Sequence, residues 1–184
     1  MKRVLDLAVS VPALLVLSPV LLLLALAIAL TSGMPVLFRQ RRVGRGGVEF
    51  SMLKFRSMVT DAAARGPHFT AEGDPRITRI GRFIRRTSLD ELPQLLNVVR
   101  GEMSLVGPRP DVPAQRADYA PADWAERLSV RPGLTGLAQA RLRSAATPAE
   151  RLALDLRYVR ERTLWLDLRI LWWTVARLRA GSAN

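Results

Sequence analysis

The apolar residues divide this chain in two. From Val4 to Leu30 the sequence is apolar except for Asp6, Ser10, Ser18 and two prolines, Pro12 and Pro19. A spanning helix needs about 20 such residues to cross about 30 Å of hydrocarbon, so the run is long enough. A cleaved signal peptide would also start with positive residues, here Lys2 and Arg3. The run exceeds an ordinary h-region, however, which argues against cleavage.

Two features favour a dip into the bilayer over a span. Both flanks are basic, with Lys2 and Arg3 before the run and Arg39, Arg41, Arg42 and Arg45 after it. Cytoplasmic flanks carry the excess of Lys and Arg, and only a re-entrant segment keeps both of them inside. Ser18-Pro19 also falls near the middle. Pro19 has no N–H, so the carbonyl of Leu15 loses its helical partner. The Ser18 hydroxyl can bond back one turn and soften a bend there. Each half would then be too short to cross alone. A merely kinked spanning helix is the competing reading.

Thr31 to Pro35 closes the segment, so residues 1–35 form the membrane unit and 36–184 the body. Residues 36–58 alternate as two short strands around the turn-rich VGRGG, which predicts a β-hairpin. A short helix and a loop are expected over 61–73. Asp74-Pro75 reads as a helix start. The helix would carry Ile77, Ile80, Phe83 and Ile84 on one face and Arg76, Arg79, Arg82, Arg85 and Arg86 on the other. A second helix is expected from Ser88 to about Arg100, stopped by Gly101. Met103–Val106 reads as a strand leading into a rigid Pro108-Arg109-Pro110 turn, and residues 130–139 as turn-rich. Helices are expected over 147–162, carrying Asp155 and Tyr158, and over 163–179. The last holds Trp165, Trp172 and Trp173 with Arg169, Arg177 and Arg179, a composition suited equally to a membrane interface and to a core. The tail after Gly181 is expected to be disordered.

Composition narrows the partners. Lys and Arg number 28 against 16 Asp and Glu, a net charge of +12. Such a surplus calls for a polyanion: nucleic acid, anionic lipid or a phosphorylated small molecule. The absence of cysteine excludes disulfides and thiolate metal sites. The single histidine, His68, sits in a Gly/Pro-flanked stretch and reads as a surface residue. A Ser/His/Asp set and a Gly-rich phosphate loop are both missing.

Any general base or nucleophile is therefore a carboxylate, Lys or Tyr, and the adjacent Asp90-Glu91 pair is the best candidate. Ser88-x-x-Glu91 also fits a capping box, which would make the pair structural. In the functional reading, a carboxylate at a helix N-terminus near several arginines stays ionised and can attack phosphorus. A second carboxylate can ligate Mg²⁺, which prefers one or two carboxylates plus substrate phosphates. Arg85 and Arg109 offer forked donors for phosphate oxygens.

Five sequence blocks then carry a resemblance: KFRSM (54–58), SLDELPQLLNV (88–98), MSLVGPRP (103–110), RPGLTGLAQ (131–139) and LDLRYV (154–159). They resemble, in order and at ordinary spacing, the signature blocks of the bacterial sugar transferases, the monotopic polyprenyl-phosphate phosphoglycosyl transferases. The match covers nearly the whole chain, at the length of that family's minimal catalytic unit. The resemblance implies transfer of a sugar-1-phosphate from a nucleotide-diphosphate sugar, usually UDP-linked, to polyprenyl (undecaprenyl) phosphate, with Mg²⁺ required and UMP released. It implies that Asp90 of the Asp90-Glu91 dyad forms a covalent phosphosugar intermediate. It further implies that Lys54, Arg85 and Arg109 surround the phosphates and that Ser18-Pro19 is the break of a re-entrant helix. The run after residue 139, ARLRSAATPAER, departs from the more polar stretch of many relatives, a difference that bears on the sugar contacts and not on the chemistry.

The expected protein is therefore α+β and mostly helical. It has a re-entrant helix-break-helix, a small hairpin and interfacial amphipathic helices around a membrane-surface active site. Its expected place is the cytoplasmic face of the bacterial inner membrane, in polysaccharide or glycoconjugate assembly. Its partners would be a UDP-sugar, polyprenyl phosphate and membrane lipids, not nucleic acid, with a homodimer left open. The competing class is a non-catalytic, membrane-anchored basic adaptor that binds anionic lipid or nucleic acid.

Overall fold

The computed structural model describes residues 1–62, 64–66, 73–142 and 147–179, the side chains of 178 and 179 excepted. The order of elements is α1 (Lys2–Ser32), β1 (Leu37–Val43), β2 (Glu49–Phe55), α2 (Arg79–Arg86), α3 (Gln94–Arg100), β3 (Ser104–Val106), α4 (Pro121–Arg127), β4 (Gly133–Thr135), α5 (Leu137–Arg141), α6 (Pro148–Glu161) and α7 (Leu164–Arg179). The mixed, mostly helical class is as expected. His68 and the tail after Gly181 lie outside the described residues.

Among the described residues α1 alone is long and apolar enough to cross a membrane. Helical structure is continuous from Lys2 to Ser32 with Pro12 and Pro19 inside it. Ser18 Oγ donates to the Leu15 carbonyl at 2.8 Å. That is the acceptor which Pro19 strips of its N–H partner, so the hydroxyl replaces the missing bond.

Both ends of α1 are fastened to the body. At the start, Lys2 Nζ lies 2.7 Å from Asp167 Oδ2 and Arg3 donates to the carbonyls of Val98 and Val99 at 2.5 and 2.7 Å. Asp6, 2% exposed, accepts from Ser104 Oγ and the Leu105 amide at 2.9 and 3.0 Å. At the other end Arg56 donates to the carbonyls of Ser32 and Gly33, both at 2.6 Å. Between these anchors α1 exposes Leu15, Val16, Leu22, Leu23 and Leu30.

The body has three apolar clusters. The largest joins Met52, Leu95, Val98, Met103, Leu105, Val106, Leu137, Tyr158 and Ile170, with Ala13 and Leu14 of α1 against it. A second joins Leu24 and Ile28 of α1 to Phe55 and Ile84, and a third joins Val43, Trp124 and Leu128. The expected hairpin is present, β1 pairing antiparallel with β2 from Leu37↔Phe55 to Val43↔Glu49. Strand β3 pairs parallel with β4, which lies inside the stretch read as turns. Glycine makes that pairing close: a Cβ on Gly133 would meet the Gly107 amide nitrogen and one on Gly107 the Arg131 carbonyl.

Three local expectations are corrected. Asp74-Pro75 does not start a helix. Asp74 instead accepts from the backbone and the guanidinium of Arg76, and Ile77 bridges to Met58 in extended form. The helix begins at Arg79, where Thr78 Oγ1 accepts from the Gly81 amide at 2.9 Å. Residues 61, 62 and 64 form turns, not a helix. Finally, 88–100 is not one helix. Leu89–Glu91 forms a single 3₁₀ turn and α3 starts after Pro93, which cannot donate to the expected ladder.

Candidate functional site

The capping box at Ser88 does not form. Ser88 is left-handed, with φ 56°, and its hydroxyl caps nothing. A capping side chain needs an extended backbone to reach the N3 amide. Asp90 and Glu91 are thus freed from that structural role and sit in the tight turn between α2 and α3. Leu89 packs against the cluster holding Ile84 and Phe55, which ties this turn to the hairpin.

Lys54 comes from β2. Asn97 of α3 grips that strand, accepting from the Leu53 amide at 3.0 Å and donating to the Ser51 carbonyl at 2.8 Å. The strand is thereby held in register beside the dyad. Arg109 comes from the Pro-Arg-Pro turn, which leaves β3 at Gly107. Gly107 donates to the Thr135 carbonyl and Gly133 to the Pro108 carbonyl, both at 2.9 Å. The GPRP and PGLTG blocks are therefore one interlocked unit.

Three of the expected residues meet on one oxygen. Lys54 Nζ donates to Glu91 Oε1 at 2.7 Å, and Arg109 Nη2 donates to the same oxygen at 2.9 Å. The other oxygen of Glu91 and the carboxylate of Asp90 have no side-chain partner among the described residues. Burial opposes ionisation of Glu91, but the Arg109 and Lys54 charges and their hydrogen bonds outweigh it and hold the carboxyl at about 2. Asp90 moves the other way. Burial and the Glu91 charge raise it above its ordinary value, against the pull of Lys54 and Arg85. The expectation of a carboxylate kept readily ionised at a helix start thus applies to Glu91, not Asp90. Burial lowers Lys54 despite Glu91. Arg85, at the end of α2, acts on Asp90 through its charge.

The site also has a support that sequence reasoning passed over. Arg127 of α4, 5% exposed, donates from Nη2 to the Arg109 carbonyl at 2.5 Å, from Nε to Asp155 Oδ2 at 3.0 Å and from Nη1 to Asp111 Oδ2. Arg42 of β1 donates to the Pro110 carbonyl at 2.7 Å, and the Val43 amide to the Asp111 carbonyl at 2.9 Å. The backbone carbonyls from Arg109 to Asp111 are thus each held by a donor, those from Arg127 and Val43 being buried. Burial pushes the Asp155 carboxyl up to about 6 and raises Asp111 as well, with Arg127 opposing both. Tyr119, packed by Arg127 and bonded to Asp111, is pushed up to about 12, chiefly by burial. One signal in the sequence pointed here: Asp155 stands between Leu154 and Leu156, on a helix whose spacing turns it inward with Tyr158.

Ser18 and Pro19 belong to α1 and make their bond within it. The site as a whole joins two adjacent carboxylates to forked and point-like cations, a combination suited to phosphate esters.

The fold and site define a basic, mostly helical protein with a carboxylate-centred cluster of cations and one long apolar helix. The sequence matches the family described as bacterial sugar transferase over residues 1–181, and the chain belongs to that family. It is 49% identical over 190 residues to the undecaprenyl-phosphate glucose phosphotransferase of Komagataeibacter xylinus, a match covering 96% of this chain and 35% of that protein. It is 47% identical to the UDP-glucose:undecaprenyl-phosphate glucose-1-phosphate transferase of Caulobacter vibrioides, covering 96% of this chain and 69% of the relative. It is 46% identical to the exopolysaccharide production protein PSS of Rhizobium leguminosarum bv. phaseoli, covering 95% and 93%. The chain thus spans about a third of one of these relatives and most of another.

Proposed function

We propose that this chain transfers a sugar-1-phosphate from a UDP-sugar to undecaprenyl phosphate at the cytoplasmic face of the bacterial inner membrane. The observation that carries the reading is the pairing of Lys54 and Arg109 on one oxygen of Glu91, beside an Asp90 carboxylate with no cation bound to it. The names of the relatives supply the substrate classes.

Asp90 attacks the sugar-bearing phosphorus of the donor. A carboxylate oxygen forms a new bond to phosphorus, the bond to the bridging oxygen breaks, and UMP leaves with its electron pair. An oxygen of undecaprenyl phosphate then attacks the same phosphorus, and the Asp90 carboxylate is released. Arg109, Lys54 and Arg85 neutralise the phosphate oxygens throughout, and such fixed charges supply most of the catalysis in phosphoryl transfer. The burial that raises Asp90 also strips water from it, which strengthens each charge interaction there.

Asp90 and the second oxygen of Glu91 would hold Mg²⁺. Two adjacent carboxylates without a surrounding cage suit that ion, which takes its other ligands from substrate phosphates and water. No cluster of three or more His, Cys, Asp or Glu side chains occurs among the described residues. When bound, the ion would offset the negative charge of the donor diphosphate.

The attachment of both ends of α1 to one body supports re-entrance. A spanning helix must leave one end across about 30 Å of hydrocarbon, whereas Lys2 and Ser32 here both bond to the same folded unit.

The test is UMP release by the full chain with Mg²⁺ and undecaprenyl phosphate across a panel of UDP-sugars, UDP-glucose first. Intact mass should show a phosphosugar adduct when the acceptor is withheld. Asp90→Asn should abolish both signals while the protein still enters membranes. Turnover by Asp90→Asn without an adduct would refute the covalent step.

A further inference from the structure

Helix α7 presents two neighbouring stripes. Trp165, Leu168, Trp172 and Val175 follow at helical spacing and are 69, 45, 69 and 48% exposed, so this apolar row has no cover among the described residues. Beside it, at four-residue steps, run Arg169, Trp173 and Arg177. The opposite side is core: Ile170 is fully buried, and Thr174 meets Thr135 at 2.8 Å.

The second stripe is built around the Trp173 ring. The Arg141 guanidinium of α5 lies 4.2 Å from the ring centroid and that of Arg169 5.0 Å from it. Arg177 is held by the Gln139 carbonyl at 2.5 Å. Arg141, Trp173 and Arg177, together with Ala140 and Ala176, line a cleft of about 300 Å³, and Arg169 stands beside it against the Trp173 ring. None of the three arginines has a carboxylate partner among the described residues. Three cations held close together and left uncompensated repel one another, and a bound anion relieves that repulsion.

The first turn of α7 also touches the first turn of the apolar helix, through Lys2 and Asp167. That contact sets the start of α7 at the level where α1 enters the bilayer. A helix lying in an interface buries its apolar face at the acyl boundary and carries cations at headgroup level along the edge. The two stripes of α7 have this order.

We propose that Arg141, Arg169 and Arg177, arranged about Trp173, form a binding site for the phosphate headgroup of an anionic phospholipid, with the Trp165–Val175 row lying along its acyl chains. The inference rests on the membrane placement given above and not on the transferase chemistry. A lipid held there would fix the tilt of the body on the bilayer, because α7 contacts β3, the strand that leads to Arg109.

The test is native mass spectrometry of the full chain released from nanodiscs of phosphatidylcholine and phosphatidylglycerol at three to one, without donor sugar. The parent should retain phosphatidylglycerol in preference to phosphatidylcholine. Arg141→Gln/Arg169→Gln/Arg177→Gln should retain about ten-fold less, since each cation near the surface contributes appreciably. A charge-matched control on exposed arginines elsewhere, Arg39→Gln/Arg82→Gln/Arg86→Gln, should retain as much as the parent. Equal retention of the two lipids, or equal loss in the control, would overturn the site while leaving the membrane reading intact. Release of lipid-free dimers would overturn it in favour of a second copy on this face. Failure of the parent to enter nanodiscs would remove both the site and the membrane reading, and UMP release would judge the chemistry separately.

Discussion

Arg127 donates to the main-chain carbonyl of Arg109 from 2.5 Å, so a buried arginine holds in place the backbone of an arginine that faces the dyad. The same guanidinium neutralises Asp155 and Asp111. Arg127 is a positioning residue: its fork ends on the support of the site and not on the Asp90-Glu91 pair.

Arg127→Met should therefore cost stability as well as rate. It strands two buried carboxylates, and breaking a buried pair of this kind costs about 3–5 kcal/mol. The loss should also depend on pH. Asp155 is raised to about 6 from an ordinary 3.8. A raised acid favours the folded state while protonated, and that contribution disappears as pH rises through about 6. Thermal melts in detergent should show the largest deficit near pH 8 and a smaller one near pH 5. A deficit of the same size at both would refute the assignment.

The proposed reaction requires Asp90 in its ionised form, yet its carboxyl is raised by burial and by Glu91. The acid limb of kcat/KM for the donor should lie above the ordinary carboxylate value. Arg85→Gln removes a charge that lowers Asp90, so the limb should move to higher pH. Glu91 is held at about 2 and should contribute no limb between pH 4 and 8. Initial rates of UMP release across that range provide the measurement, and an Arg85→Gln profile superimposable on the parent would exclude the coupling.

Glu91→Gln should lower kcat by two orders of magnitude or more, on the scale of losing a preorganised charge in a site of this kind. It leaves Lys54 and Arg109 facing each other without the anion that joins them. Steady-state kinetics at saturating donor separate this loss from weaker binding.

Asp6 ties the apolar helix to β3 through Ser104 and the Leu105 amide. Asp6→Ala leaves those buried donors unpaired, at about 1–3 kcal/mol each. The expected result is a lower melting temperature with the chain still in the membrane fraction. An unchanged melt would mean that the anchor carries no load.

Because the chain has no cysteine, single-cysteine variants at positions 1 and 32 report topology cleanly. Both should react with an impermeant maleimide from the same side of sealed vesicles. Pro19→Ala restores the amide donor for Leu15 and removes the ring clash, which should move a measurable fraction of one end to the opposite side. Labelling of the two parent positions from opposite sides would rule out re-entrance.

Much was legible in the sequence because it is local. The apolar run, the hairpin around VGRGG and the helix capped at Thr147 depend on neighbouring residues, and each is present. The Ser18–Leu15 bond follows from one proline and one hydroxyl. Local signals misled where a side chain had a stronger partner than the helix offered. Asp74 chose Arg76, and Pro93 divided what periodicity read as one helix.

By itself the sequence determined the long apolar segment, the excess of positive charge, the family blocks and the adjacent carboxylates at 90 and 91. Tertiary structure alone decided that Lys54 and Arg109 share one oxygen of Glu91, that β3 and β4 pair in parallel, and that Arg127 braces Arg109. These contacts join residues 37, 18 and, for β3 with β4, 29 positions apart. Such pairings depend on strand register, close glycine packing and burial, none of which any single segment encodes.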